Sequence, residues 1–400
     1  MNFIRWRQLA TVFSSSHSNL QQLHSIPHSV FILGRFPPPI DGQSMLTEQT
    51  ARLLEDTWKV HRINTALQGE TYVRTSSRWN LSLVSHYLNL INHTRRALAL
   101  APDAPVIWNS ISPKPLGHFR DLFSIVSAFR PHQKVYAVVH WGNFDLLFRS
   151  PLTRFTARRL VRRLTGFVFN SDNLNENCAA WIPAEKRFII LNTIDSASRC
   201  THAEVVQKQA LRIQRKSLRL LFLSNMIPAK GYFDVLGAVQ LLHAAGIPVF
   251  ADFIGRWQSD KDCTVFKNYV TEYNLNNVVQ AHGGLNNRAA IKQFYLDADV
   301  FLLPTYYPTE AQPVSILEAI NAGTPVVTTR HASIPHMVRE HAKEALFVPP
   351  RSPEAIAVAL RTLLDTTTWL SYSKAAEMRF MTHFSPEAVR QQWEALLARP

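Results

Sequence analysis

Short apolar runs of four to six residues recur along this chain, separated by stretches with helical spacing. In the first half they are Ser29–Gly34, Val106–Asn109, Val135–Val139, Gly166–Asn170 and Arg187–Leu191. The segment Ser44–Glu55, with Met45, Leu46, Leu53 and Leu54, shows the helical periodicity found between such runs. Short strands alternating with helices predict βαβ units and a parallel sheet covered on both faces. The pattern then restarts at Arg219–Ser224, with a helix over Gly231–Ala245. Further strands are predicted at Val249–Ile254, Val278–Ala281, Val300–Leu303 and Val326–Thr328. Residues 195–216 between the halves are polar and poor in strand formers. The expected fold is therefore α/β, with two doubly wound Rossmann-like domains facing across a cleft. Residues 1–192 form the first domain, 193–217 a linker and 218–385 the second. A C-terminal helix over 386–400 is expected to pack back on the first domain. Ligands in this architecture bind at the carboxyl ends of the strands.

Composition narrows the function classes. The 400 residues are 46% hydrophobic and 18% charged, ample for packed cores and unlike a disordered chain. Cys178, Cys200 and Cys263 are too few and too scattered for a disulfide framework or a zinc site. No apolar run reaches the length of a membrane span. Most of the net charge of +14 belongs to residues 1–200, where 23 Lys and Arg face 12 Asp and Glu. A basic surface attracts polyanions, either nucleic acid or an anionic membrane. The first 27 residues hold Arg5, Arg7 and no acid. They lack an apolar secretory core, and an ordinary terminus is favoured over an organellar transit segment.

The most informative stretch is P-T-Y-Y-P-T-E-A-Q-P-V-S-I-L-E-A-I-N-A-G-T-P-V-V, Pro304 to Val327. Glu310 sits in the loop after a predicted strand, and Pro313 suits the first position of a helix. The unpaired N–H groups around Val314 and Ser315 then make an anion site suited to phosphate. Glu318 follows inside the helix. Two glutamates at this spacing are ordinarily a loop residue and a solvated helix residue. The strand before and G-T-P-V-V after place this pair at a sheet's carboxyl edge instead. A carboxylate on each side of an anion site matches a nucleotide diphosphate sugar: sugar hydroxyls, diphosphate, ribose hydroxyls. Upstream, F-L-S-N-M-I-P-A-K-G puts Lys230 at a second helix start, within reach of such a phosphate.

These motifs resemble glycosyltransferase family 4, of the bacterial surface-polysaccharide type. The resemblance is strongest from about residue 218 to 365 and includes F-I-G at Phe253–Gly255, His282-Gly283 and D-A-D-V-F-L-L-P. It implies a retaining GT-B enzyme that uses a nucleotide-sugar donor with no metal and no cofactor. By this resemblance Glu310 holds the donor sugar, Glu318 the ribose and Lys230 the diphosphate, with amides near Val314 and Ser315 cradling the phosphates. Two positions depart from the family: Asn225 replaces a frequent arginine, and Ala311 a frequent glycine. In the first domain the resemblance is weaker. It assigns Gly42 to backbone approach toward the donor phosphate. It assigns His140, after Val135–Val139, to a hydrogen bond with the donor sugar, and places Gly142 and Asn143 beside the acceptor. The implied acceptor is a lipid-linked or other glycan, at the cytoplasmic face of the cell membrane.

Arg149 to Arg163 reads R-S-P-L-T-R-F-T-A-R-R-L-V-R-R, six arginines interleaved with Leu152, Phe155, Leu160 and Val161. Its periodicity predicts a basic amphipathic helix docking on anionic lipid. No nucleic-acid motif accompanies it, and nucleic acid is not an expected partner. Asp260-Lys261-Asp262 is a literal D-x-D in a polar stretch, and is expected at the surface rather than on a metal. The competing reading is a non-catalytic binding or scaffold protein that retains this fold, which Asn225 keeps open.

Overall fold

The computed structural model describes residues 28–38, 42–66, 81–109, 111–308, 310 and 312–399. The basic N-terminal stretch with Arg5 and Arg7 lies outside them, as do Thr309 and Ala311. Two six-stranded sheets organise the described chain. The first holds β1 (Ser29–Gly34), β2 (Lys59–Asn64), β3 (Val106–Asn109), β4 (Val135–Val139), β5 (Gly166–Phe169) and β6 (Arg187–Ile189). Its order is β2-β1-β3-β4-β5-β6. The second holds β7 (Leu218–Leu223), β8 (Val249–Ile254), β9 (Val279–Gly283), β10 (Val300–Leu303), β11 (Val326–Thr328) and β12 (Ala345–Phe347). Its order is β12-β11-β10-β7-β8-β9. All neighbours in the second sheet are parallel. So are β1–β2, β1–β3, β4–β5 and β5–β6. The doubly wound α/β class is thus present twice.

By packing, the chain divides into two compact units. One lies within Met1–Asn109 together with Val126–Val135, the other within Ser110–Ile125 together with Tyr136–Pro400. In the smaller unit Val30, Phe31, Ile32 and Leu33 of β1 are wholly buried. Sequence periodicity missed β2, K-V-H-R-I-N, because it is an edge strand with one polar side. Its Arg62 bonds Glu48 at 3.2 Å and also pairs with Glu55, both on the helix Gly42–Glu55. β12, an edge of the second sheet, is all apolar (A-L-F) but only three residues long, too short a run to stand out in the sequence.

In the larger unit Leu220, Leu221 and Phe222 of β7 and the whole of β10 are buried, as a central parallel strand requires. The segment expected as a linker contains the helix His202–Gln214, opened by a Thr201–Glu204 capping box. Its polar composition hides a buried network. Lys208 Nζ donates to the carbonyls of Tyr295 (2.7 Å) and Ala322 (3.1 Å) and to Thr324 Oγ1 (2.5 Å). Arg212 and Arg215 flank the buried Asp299 at 3.8 and 3.0 Å. Such residues read as hydrophilic in sequence, yet each charge meets a carbonyl or carboxylate. The final helix, Pro386–Leu397, reaches back to first-sheet strands of the same unit: Tyr136 Oη donates to the Leu396 carbonyl at 3.4 Å. The Arg399 guanidinium lies 4.6 Å from the Phe188 ring centre.

Candidate active site

β7 ends in a turn, Pro228–Lys230, followed by Gly231 at φ 84° before the helix Tyr232–Ala244. Glycine is required there twice over. The left-handed backbone disfavours a side chain, and a Cβ would stand 2.5 Å from the Pro304 carbonyl oxygen. The turn is therefore pressed against the end of β10, and Tyr306 N donates to the Ala229 carbonyl at 2.8 Å. This contact brings two loops 80 residues apart together, and Lys230 Nζ donates to Glu310 Oε2 at 2.5 Å. Thr305 Oγ1 donates to the same oxygen at 3.1 Å, and Lys230 Nζ lies 4.8 Å from the Tyr307 ring centre.

The helix Val314–Asn321 begins beyond Glu310. Pro313 is its N-cap rather than its first residue, and no side chain caps the helix start. The N–H groups of Val314 and Ser315 therefore present the partial positive charge expected of an anion site. Glu318, on the same helix, is buried. Its Oε2 accepts from Tyr295 Oη at 3.1 Å, and its Oε1 from Arg288 Nη1 at 3.3 Å. Burial raises its carboxyl above the usual carboxylate range, with Arg288 and Tyr295 opposing. Asn225 lies exposed just after β7.

β4 delivers His140 to a pocket of about 520 Å³ lined in part by Lys114, Trp141, Gly142, Asn143, Leu146 and Thr153. Loss of hydration pushes the imidazole down to about 4, so it is neutral at physiological pH. A Cβ on Gly142 would lie 3.9 Å from the Glu310 carbonyl oxygen, so this loop approaches the Lys230–Glu310 pair. Gly42 is the first residue of the helix Gly42–Glu55 in the smaller unit.

The basic stretch is two helices, Leu146–Arg149 and Arg154–Arg163. Leu160 and Val161, expected on an outward apolar face, are buried in the core instead. An amphipathic helix on a soluble domain spends its apolar stripe on that domain first. Leu152 and Phe155 remain outside, 65% and 64% exposed, among the exposed Arg154, Arg158, Arg159 and Arg162. Asp260 is exposed and Asp262 half-buried, in the first turn of the helix Asp260–Glu272, capped by Ser259.

The β7 turn, the β10 loop and the helix start all fall within the segment that the sequence comparison matches. Residues 205–378 match the model of glycosyl transferases group 1. This segment is similar to that family. The group 1 segment spans β7 to β12 and so contains Lys230, Glu310 and Glu318. Over 188 residues the chain is 28% identical to WcaL of Salmonella typhimurium, assigned as a colanic acid biosynthesis glycosyltransferase. Over 187 residues it is 25% identical to the amylovoran biosynthesis glycosyltransferase AmsK of Erwinia amylovora. The match to each covers about 45% of this chain and 45% of the relative. Across 92% of the chain the fold resembles Anabaena HepE, solved in complex with UDP, at 16% identity, TM-score 0.66 and 99% coverage of that chain. WaaG, a glycosyltransferase involved in lipopolysaccharide biosynthesis, matches at 15% identity and TM-score 0.58, covering 93% of this chain and all of WaaG. The fold is GT-B.

Sequence motifs did not single out Thr305, Tyr307, Tyr295 or Arg288. Thr305 and Tyr307 lie inside the quoted motif but carry no charge to flag them. Arg288 and Tyr295 sit on the helix Arg288–Asp297, outside any motif, and meet Glu318 only through the fold.

Proposed function

We propose that this chain is a retaining glycosyltransferase that moves a hexose from a nucleoside diphosphate donor to a glycan hydroxyl in exopolysaccharide assembly. The observation that carries this reading is the Lys230–Glu310 pair beside the uncapped start of Val314–Asn321. A cation and a set of N–H donors converge where a diphosphate would lie, with carboxylates toward each end for hydroxyls. In the reaction the bond from sugar C1 to the phosphate oxygen breaks. The acceptor oxygen bonds C1 on the same face, and its proton passes to the departing phosphate oxygen. Lys230 and the helix amides stabilise the charge on that leaving group without a metal ion. Glu310 accepts hydrogen bonds from the sugar and Glu318 from the ribose. Neutral His140 hydrogen-bonds the sugar and forms no covalent intermediate. The pocket with Trp141, Gly142 and Asn143 receives the acceptor.

The acceptor proposed is lipid-linked, and the enzyme works peripherally at the inner face of the cell membrane. Exposed arginines around Leu152 and Phe155 support this. No helix among the described residues is long and apolar enough to cross a membrane. The test is release of nucleoside diphosphate by purified protein from UDP-, GDP- and ADP-sugars in the presence of a chelator. Neither turnover nor thermal stabilisation with any donor would favour the scaffold reading. Activity lost on chelation and restored by manganese would overturn metal independence.

A further inference from the structure

Two cations beside the proposed diphosphate site are already committed. Lys230 faces Glu310, and Arg288 faces Glu318. Each positive charge is offset by a carboxylate, while a diphosphate calls for net positive potential. Asn225 supplies none.

One strand away stands Arg256, immediately after β8. Its backbone is joined to the β7 turn: Met226 N donates to the Arg256 carbonyl at 2.9 Å. Gly255 packs so closely that a Cβ there would lie 1.8 Å from the Ser224 carbonyl oxygen and 3.3 Å from Asn225 Cα. Positions 225 and 256 are thus backbone neighbours on adjacent strand ends. The Arg256 side chain runs over Gly284, where a Cβ would stand 2.5 Å from its Cγ and 3.3 Å from its Nε. Its Nη2 then donates to Asn286 Oδ1 at 3.3 Å. That acceptor is a neutral amide, so the guanidinium charge is not offset there. Asn286 lies two residues before Arg288, the partner of Glu318. Arg256 therefore links the loop after Asn225 to the loop that serves the proposed ribose carboxylate.

We infer that Arg256 is a donor-binding residue that contacts the nucleotide diphosphate, delivering from β8 the cation that position 225 lacks, with Gly284 keeping its path open. This rests on the donor-binding reading above. A planar guanidinium with several N–H donors suits adjacent phosphate oxygens.

The test measures binding of UDP, GDP and ADP to the full chain, then follows whichever binds tightest, together with its nucleoside. Arg256→Gln should weaken the diphosphate by about tenfold or more, the scale of one charge-assisted contact, and leave the nucleoside unchanged. Asn225→Arg in the Arg256→Gln background should restore most of the loss. Gly284→Ala, which keeps every charge, should weaken binding severalfold in the native chain and add nothing to Arg256→Gln. Lys230→Ala separates the two readings. If it abolishes diphosphate binding while Arg256→Gln binds like native protein, the inference on Arg256 is wrong and the donor site stands. If nucleoside and diphosphate weaken equally in Arg256→Gln, the contact is to the nucleoside and the inference is overturned. If neither single variant changes binding, or the native chain binds no diphosphate, both readings fall.

Discussion

Lys230 Nζ and Glu310 Oε2 stand 2.5 Å apart, largely shielded from solvent, although 80 residues separate them in the chain. The carboxylate proposed to hold the sugar is therefore paired with the ammonium proposed to hold the phosphate. Glu310→Gln keeps the shape and removes the charge. It should lower turnover by roughly 10²–10³, the scale of one preorganised polar contact, and leave a cooperative thermal transition. Near-native transfer by the folded variant would remove Glu310 from the site.

Glu318 should show the opposite balance between function and stability. Its carboxyl is raised by burial, so the folded state holds a proton that the unfolded chain has already lost. That contribution to stability is present below the unfolded value of about 4.5 and is lost as pH rises through the folded one. Where it ionises, the buried carboxylate is a cost, offset in part by Arg288 and Tyr295. Glu318→Gln should melt at or above the native temperature at pH 7 while binding donor about tenfold more weakly. A variant that melts far lower, or that binds donor normally, contradicts the assignment.

Lys208 offers a pH test free of catalysis. Burial pushes its ammonium down from 10.5 to about 7. Between those values the unfolded chain holds a proton that the folded chain has released, so stability rises with pH. The stability of native protein relative to Lys208→Met should grow between about pH 7 and 9. A constant difference would show that Lys208 stays charged on its three oxygen partners.

How far these features could be read from sequence depended on where each residue sits in the sheets. Buried central strands such as β7 and β10 announce themselves as apolar runs, and the proline-flanked motif from Pro304 to Val327 marks the loop after β10 and the helix that carry Glu310 and Glu318. The edge strand β2 did not, because Lys59, His61 and Arg62 break the apolar run. The helix His202–Gln214 resembled a linker because Lys208 and Arg212 are buried through partners far away in sequence. Leu160 and Val161 were assigned outward because periodicity gives a helix's apolar side without saying what covers it. The Tyr295–Glu318 and Gly231–Pro304 contacts join separate βα units, and local spacing carries no trace of them.

The basic surface should act through number of charges and salt. Changing Arg154, Arg158, Arg159 and Arg162 to Gln removes exposed cations without touching the buried Leu160 and Val161. Each is worth about 1 kcal/mol near an anionic surface, and the attraction fades over a Debye length of about 8–10 Å. Vesicle flotation should show loss of binding to anionic lipid, with donor affinity intact. Leu152→Ser with Phe155→Ser should weaken binding in a salt-insensitive way. Unchanged flotation by both variants would leave this face merely solvated.

The pressing of Gly231 against Pro304 also dictates when the site can exist during folding. β10 lies beside β7 in the sheet but follows β8 and β9 in the chain. Lys230 can meet Glu310 only after that long-range strand has inserted, a slow kind of contact to form. Regain of donor binding after dilution from denaturant should therefore lag the return of helical signal. The pair thus serves as a clock for completion of the second sheet.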